Sequence, residues 1–128
     1  MLQLLTAGQI RRIHDRILFD GELRGEYRER PVEAVLGRLE NRIVYGIQVN
    51  DVFDVAGCYG AFIAVAHCFV DGNKRTAFRT VGAFLGLNGL PFKPGLPESD
   101  EFFEILVQCA TGTADEAKLA ARLRSRRL

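Results

Sequence analysis

Sixteen consecutive residues, Val55 to Val70 (VAGCYGAFIAVAHCFV), hold one ionisable side chain besides cysteine and tyrosine, His67. The run is too short and too rich in glycine and alanine for a membrane span, which needs about 20 residues. It reads as a buried helix, from Val52 to about Cys68, capped at its start by Asp51 and apolar on every side. A helix with no polar face must be enclosed by other elements. The rest of the chain therefore has to supply amphipathic helices to surround it.

It carries the signals for them. Thr6 caps a helix with Ile10, Ile13 and Ile17 on one stripe, ending near Asp20-Gly21. Residues 21–31 (GELRGEYRERP) are polar and broken by glycine, hence a loop. Pro31 suits the first turn of a second helix, with Val32, Val35, Leu36, Leu39 and Ile43 at helical spacing. Tyr45 to Val49 (YGIQV) is β-prone and reads as a short extended or hairpin segment. A helix from Asn73 or Lys74 runs to Asn88-Gly89, where the glycine ends it in the left-handed conformation. Pro91, Pro94 and Pro97 predict a loop, and Ser99 caps a helix from Asp100 to about Ala110. Thr113 and Glu116 have the spacing of a capping box for the last helix. With no repeat, linker or low-complexity stretch, 1–128 reads as one all-α domain: a compact bundle of about six helices around the central apolar one.

Composition narrows the partners. Apolar residues make up 48% and charged residues 26%, the balance of an ordinary soluble globular protein, and a net charge of +1 favours no partner class. Arg122, Arg124, Arg126 and Arg127 crowd the last seven residues. Such a tail is ordinarily a solvated face, although it can meet an acidic partner or nucleic acid. The N-terminus lacks the basic start and long apolar segment of a signal peptide. Cys58, Cys68 and Cys109, odd in number and without CxxC spacing, read as reduced core thiols in a cytoplasmic protein.

Where the apolar run ends, HCFVDGNKRT (His67 to Thr76) packs a histidine, an aspartate, an asparagine, a lysine and an arginine into ten residues. His67 falls in the last turn of the central helix, and Asn73 to Thr76 open the next. A helix N-terminus exposes unbonded N–H groups and a partial positive charge, so it binds anions. Gly72 permits close backbone approach or a positive φ, and Lys74 and Arg75 add full charges at the same spot. Lysine and arginine in a first helical turn oppose the helix dipole, and anion binding supplies a reason for them. Asp71 can ligate a Mg²⁺ carried on phosphates or simply cap the following helix. His67 is of the residue type that takes a proton near neutral pH, as a base acting on an incoming hydroxyl must; alone, it could equally be a structural helix end. Asn73 can close the turn or bond a phosphate oxygen. Phe69 reads as a core plug. A Walker loop is excluded, since GxxxxGK[ST] is absent and no strand precedes the turn.

The string His-x-Phe-x-Asp-Gly-Asn-Lys-Arg resembles the active-site motif of the Fic/Doc superfamily, HxFx(D/E)(G/A)N(G/K)R, at every fixed position. The likeness extends to IHD (Ile13 to Asp15), EAVLGRLENRIVYG (Glu33 to Gly46), DVFDVAGCYGAFIAVAH, FLGLNG (Phe84 to Gly89) and ATGTADEAKLAARLR near the end. These segments resemble the Doc branch, the "death on curing" toxins of toxin–antitoxin pairs. Two departures from the Fic pattern point the same way. Fic enzymes that transfer AMP usually carry glycine where this chain has Lys74, and a second arginine where it has Phe78; Arg79 is one residue out of register.

What the resemblance implies is a protein kinase that uses ATP and Mg²⁺ to phosphorylate a threonine or serine hydroxyl of a translation factor, elongation factor Tu first among candidates. The catalytic group would be His67, Lys74 and Arg75, with His67 the base. Gly72, Asn73, Lys74 and Arg75 would bind the nucleotide, and Asp71 the metal. The alternatives are an AMP transferase and a non-catalytic module acting on an operator with its antitoxin. The resemblance implies no direct contact with nucleic acid otherwise. His14 and Asp15 line the site's edge in such a fold or form a buried pair linking helices. The inhibitory pattern of many Fic enzymes, (S/T)xxxE(G/N), is absent; Thr111 to Asp115 is its nearest approach. With no restraint in cis, the resemblance implies a separate cognate antitoxin.

Overall fold

The computed structural model describes residues 2–47, 49–90 and 101–125. It contains α1 (Ala7–Ile17), α2 (Val32–Tyr45), α3 (Val52–Ala66), α4 (Asn73–Leu87), α5 (Glu101–Thr111) and α6 (Glu116–Ser125). Among the described residues no strand forms, and one isolated antiparallel bridge joins Glu26 to Phe69.

The apolar run is the hub. Phe53 and every residue from Val55 to Ala64 on α3 are buried. Helices α2, α4, α5 and α6 pack around it, while α1 leans on α4 and α2. Small residues let α6 come closest: a Cβ on Gly57 would lie 2.5 Å from the Glu116 carbonyl oxygen and 3.1 Å from the Ala120 nitrogen. The three cysteines are buried and free, and burial pushes the Cys58 and Cys109 thiols up to about 11.

Most helix ends follow their local signals. Thr6 makes a full capping box with Gln9 (3.1 and 2.8 Å), and Asp51 accepts from the Asp54 N–H at 2.9 Å. Gly89 adopts φ 78° just beyond α4.

Four boundaries differ. Helix α1 stops at Ile17, short of Asp20-Gly21, because Leu18 is already extended (φ −67°, ψ 139°). Helix α3 stops at Ala66, so His67 and Cys68 lie beyond it. No extended segment begins at Tyr45: it ends α2, and Gly46 turns left-handed (φ 63°) with its N–H on the Arg42 and Ile43 carbonyls, so a glycine cap outweighs β propensity. Gln48 lies outside the described residues, as do Ser99, Asp100 and the proline segment. The capping box of Thr113 and Glu116 does not form either. Helix α6 begins at Glu116, Asp115 accepts from the Lys118 N–H at 3.2 Å, and the Thr113 hydroxyl donates back to the Gln108 carbonyl at 3.2 Å.

Candidate functional site

The turn between α3 and α4 is built around a strained histidine. His67 caps α3 at φ 50° and ψ 49°, the only non-glycine residue with positive φ among the described residues. Non-glycine residues in this region concentrate where function demands them. Its side chain is exposed, and its carbonyl accepts from the Arg30 Nε at 3.1 Å.

Beyond His67 the chain runs extended beside the 21–31 loop. Tyr27 donates its N–H to the Cys68 carbonyl (2.8 Å) and Val70 donates to the Gly25 carbonyl (2.9 Å), flanking the Glu26–Phe69 bridge. Phe69 is 2% exposed and stacks on the His14 ring, centroids 3.7 Å apart and planes 9° apart. His14, itself buried, donates from Nε2 to the Asp71 carbonyl at 2.7 Å. The histidine of α1 is therefore the buried link between helices, tying α1 to the turn.

Asn73 closes the turn from inside: its Oδ1 accepts from the Phe69 N–H (3.0 Å) and its Nδ2 donates to the Phe69 carbonyl (2.7 Å). Gly72 is left-handed (φ 83°), and a Cβ there would meet the Ile17 and Leu18 side chains at 3.0 and 3.2 Å. Only glycine satisfies both constraints. No side chain caps α4, whose first residues are Asn73, Lys74 and Arg75. Its first-turn N–H groups are the kind that bind anions. Lys74 is half-buried and has no ionic partner among the described residues.

Asp71 and Arg75 are engaged by the start of the loop. One Asp71 carboxylate oxygen accepts from the Leu23 N–H at 2.8 Å. The Arg75 guanidinium donates to the Ile17 carbonyl (2.7 Å) and to Glu22 (2.5 Å), and lies over the Phe19 ring, 4.1 Å from its centroid. Arg75 and the Phe19 N–H hold the Glu22 carboxyl below the usual range. Farther along the loop, Glu26 receives Arg11 (2.7 and 3.0 Å) and the Val32 N–H (3.0 Å), capping α2 where Pro31 cannot. Arg11 holds the Glu26 carboxyl low as well.

The fold thus gathers His67, Asp71, Gly72, Asn73, Lys74 and Arg75 on one turn. It directs the Asn73 side chain to the backbone and the Arg75 side chain to Glu22. Phe78, where an AMP-transferring site would carry its second arginine, is 1% exposed and packs on Phe102 and Phe103 of α5, while Arg79 is exposed. Sequence reasoning missed Glu22, Leu23 and Glu26. The acidic character of Glu22 and Glu26 in a glycine-broken loop was visible, but no periodicity pointed to their partners, and Leu23 acts through its backbone N–H.

The family model for the Fic/DOC family matches residues 4–85, well over half of the chain and the whole turn. The chain belongs to the Fic/DOC family. Two relatives lie in its Doc branch, and so does this chain. It is 35% identical over 92 residues to "Protein kinase doc" of Escherichia phage P1, covering 72% of this chain and 69% of the relative. It is 31% identical over 122 residues to "Toxin Doc" of Mycolicibacterium smegmatis, covering 94% of this chain and 85% of that relative. The second match carries the likeness beyond residue 85, into α5 and α6.

Proposed function

We propose that this Doc-branch protein is the toxin of a toxin–antitoxin pair, a protein kinase that transfers the γ-phosphate of ATP to a threonine or serine hydroxyl of a translation factor and so arrests translation. The observation that carries the reading is the α3–α4 turn: an uncapped helix N-terminus behind a left-handed glycine, with a Lys74 in its first turn that has no ionic partner among the described residues and an exposed His67 just before it. The names of the two Doc relatives support the toxin and kinase parts. Elongation factor Tu is the proposed target, a cognate antitoxin the proposed restraint, and the cytoplasm the place of action. No helix among the described residues is long and apolar enough to cross a membrane.

In this reading the N–H groups of Asn73, Lys74 and Arg75 and the Lys74 ammonium bind phosphate oxygens, while the Asn73 amide keeps the turn closed around them. His67 takes the proton of the attacking hydroxyl, its left-handed backbone turning the imidazole out to solvent where a protein substrate can reach it. Asp71 fits a Mg²⁺ ligand. One carboxylate oxygen is held by Leu23, no cluster of three His, Cys, Asp or Glu groups able to cage an ion forms among the described residues, and Mg²⁺ on a nucleotide takes few protein ligands. When bound, the ion would neutralise phosphate charge. In phosphoryl transfer positioning and electrostatics do most of the work, which a single turn can supply.

The test is a paired labelling assay with purified protein, elongation factor Tu or bacterial lysate, Mg²⁺, and ATP labelled at the γ- or the α-phosphate. Label arriving only from the γ position is expected, and His67→Ala abolishes it. Label from the α position would make the protein a nucleotidyl transferase despite Lys74 and Phe78. Transfer from neither, with a biological effect that survives His67→Ala, would leave a non-catalytic module.

A further inference from the structure

The anion that Arg75 holds is part of the chain. Its guanidinium bonds Glu22 and the Ile17 carbonyl and rests on Phe19, and the paired side chains are only 16% and 24% exposed. Charges so placed are screened less than a surface pair. Glu22 is braced in turn by the Phe19 N–H, which donates to its other oxygen at 2.7 Å. Leu23, next in sequence, bonds the Asp71 carboxylate. Thus one short segment, Phe19 to Leu23, occupies both turn residues assigned above to phosphate and to metal. The turn does not need these bonds for its own shape, since Gly72, Asn73 and the His14 contact already close it.

We propose that Glu22 is an internal counter-ion that competes with the nucleotide's phosphate for Arg75, so that nucleotide binding releases the Phe19–Leu23 segment from the α3–α4 turn. The inference rests on reading that turn as a nucleotide site. A carboxylate and a phosphate make the same demand on a guanidinium, and both together would crowd two anions around one half-buried cation. Lys74, without an ionic partner among the described residues, can receive phosphate first, and Arg75 then changes partner. Linkage makes the exchange reciprocal: whatever weakens the hold of Glu22 strengthens the nucleotide's, and the reverse. The loop after α1 thereby sets nucleotide affinity, a role separate from the restraint proposed for the antitoxin.

The experiment is calorimetric titration of Mg²⁺–ATP into the wild type and Glu22→Gln, with amide hydrogen exchange of residues 19–23 in the wild type with and without Mg²⁺–ATP. Glu22→Gln is expected to bind roughly fivefold tighter or more. In the wild type the Leu23 amide exchanges faster once nucleotide is bound. Equal or weaker binding by a folded Glu22→Gln, or a Leu23 amide that nucleotide leaves unchanged or protects, would overturn the proposal and make Glu22 a brace that orients Arg75. If Glu22→Gln does not fold, the wild-type exchange measurement decides alone. A folded wild type that binds no Mg²⁺–ATP defeats the nucleotide reading itself, whereas nucleotide binding that ignores Glu22 defeats this inference only.

Discussion

Phe69 and Lys74 belong to one short motif and do opposite work. The Phe69 ring is buried on His14, so removing it leaves a cavity under the turn and unsupported imidazole above it. Phe69→Ala should cost about 3–5 kcal/mol, visible as a lowered midpoint in a denaturant melt. Lys74 bonds no acidic group among the described residues, and it opens a helix whose dipole disfavours its charge. Lys74→Ala should therefore melt no lower than the wild type and lose phosphate transfer. Unfolding of Lys74→Ala would show that its charge serves the fold. Which of two roles a residue plays was only half legible in the sequence. For Asn73 and Asp71 both a structural and a ligand role were open, and the spacing of contiguous residues could not reveal that Asn73 bonds the backbone of Phe69.

At the scale of elements, the loop between α1 and α2 is attached mainly by charge. Glu22 meets Arg75, and Glu26 and Glu33 share Arg11. All three carboxyls are held below the ordinary glutamate value, each chiefly by its hydrogen bond from arginine. A carboxyl whose folded value is depressed contributes stability in full above its unfolded value, near about 4.3, and loses it as pH falls through the folded one. Acidification below about pH 4 should thus release the loop while the apolar helix α3 stays enclosed. Pepsin, active at such pH, should cut between Phe19 and Tyr27 first; initial cleavage within α3 would mean that loop and core unfold together. Contact between α3 and α6 depends instead on one missing methyl. At Gly57 the obstacle to a Cβ is backbone, which cannot rotate aside. Gly57→Ala should destabilise by about 1–3 kcal/mol despite alanine's better helix propensity, as a thermal melt would register.

The whole molecule was legible in the sequence where its signals are local. An apolar run marks its own burial, Thr6, Asp51 and Gly89 mark helix ends within a few residues, and the motif is contiguous. What could not be read joins distant positions: Glu22 to Arg75, Arg11 to Glu26, His14 to Asp71. Before α6 the Thr113–Glu116 spacing misled: Asp115 accepts from the Lys118 N–H instead, and the helix that starts there packs on α3. That packing bears on how much of the chain the site needs. The family model ends at residue 85, yet α6 lies across α3 at Gly57 and buries Leu119, Ala120 and Leu123. Each buried leucine is worth about 1.5–3 kcal/mol, and removing α6 also bares the apolar face of α3 it covers. Domains of this size hold about 5–15 kcal/mol in all. A chain ending at Gly112 should accordingly lose cooperative unfolding and its nucleotide binding together, although every motif residue remains. Circular dichroism through a thermal ramp, beside titration with Mg²⁺–ATP, would check this. A sharp transition with binding intact would instead show that the enclosure of α3 and the site on its end are energetically separate.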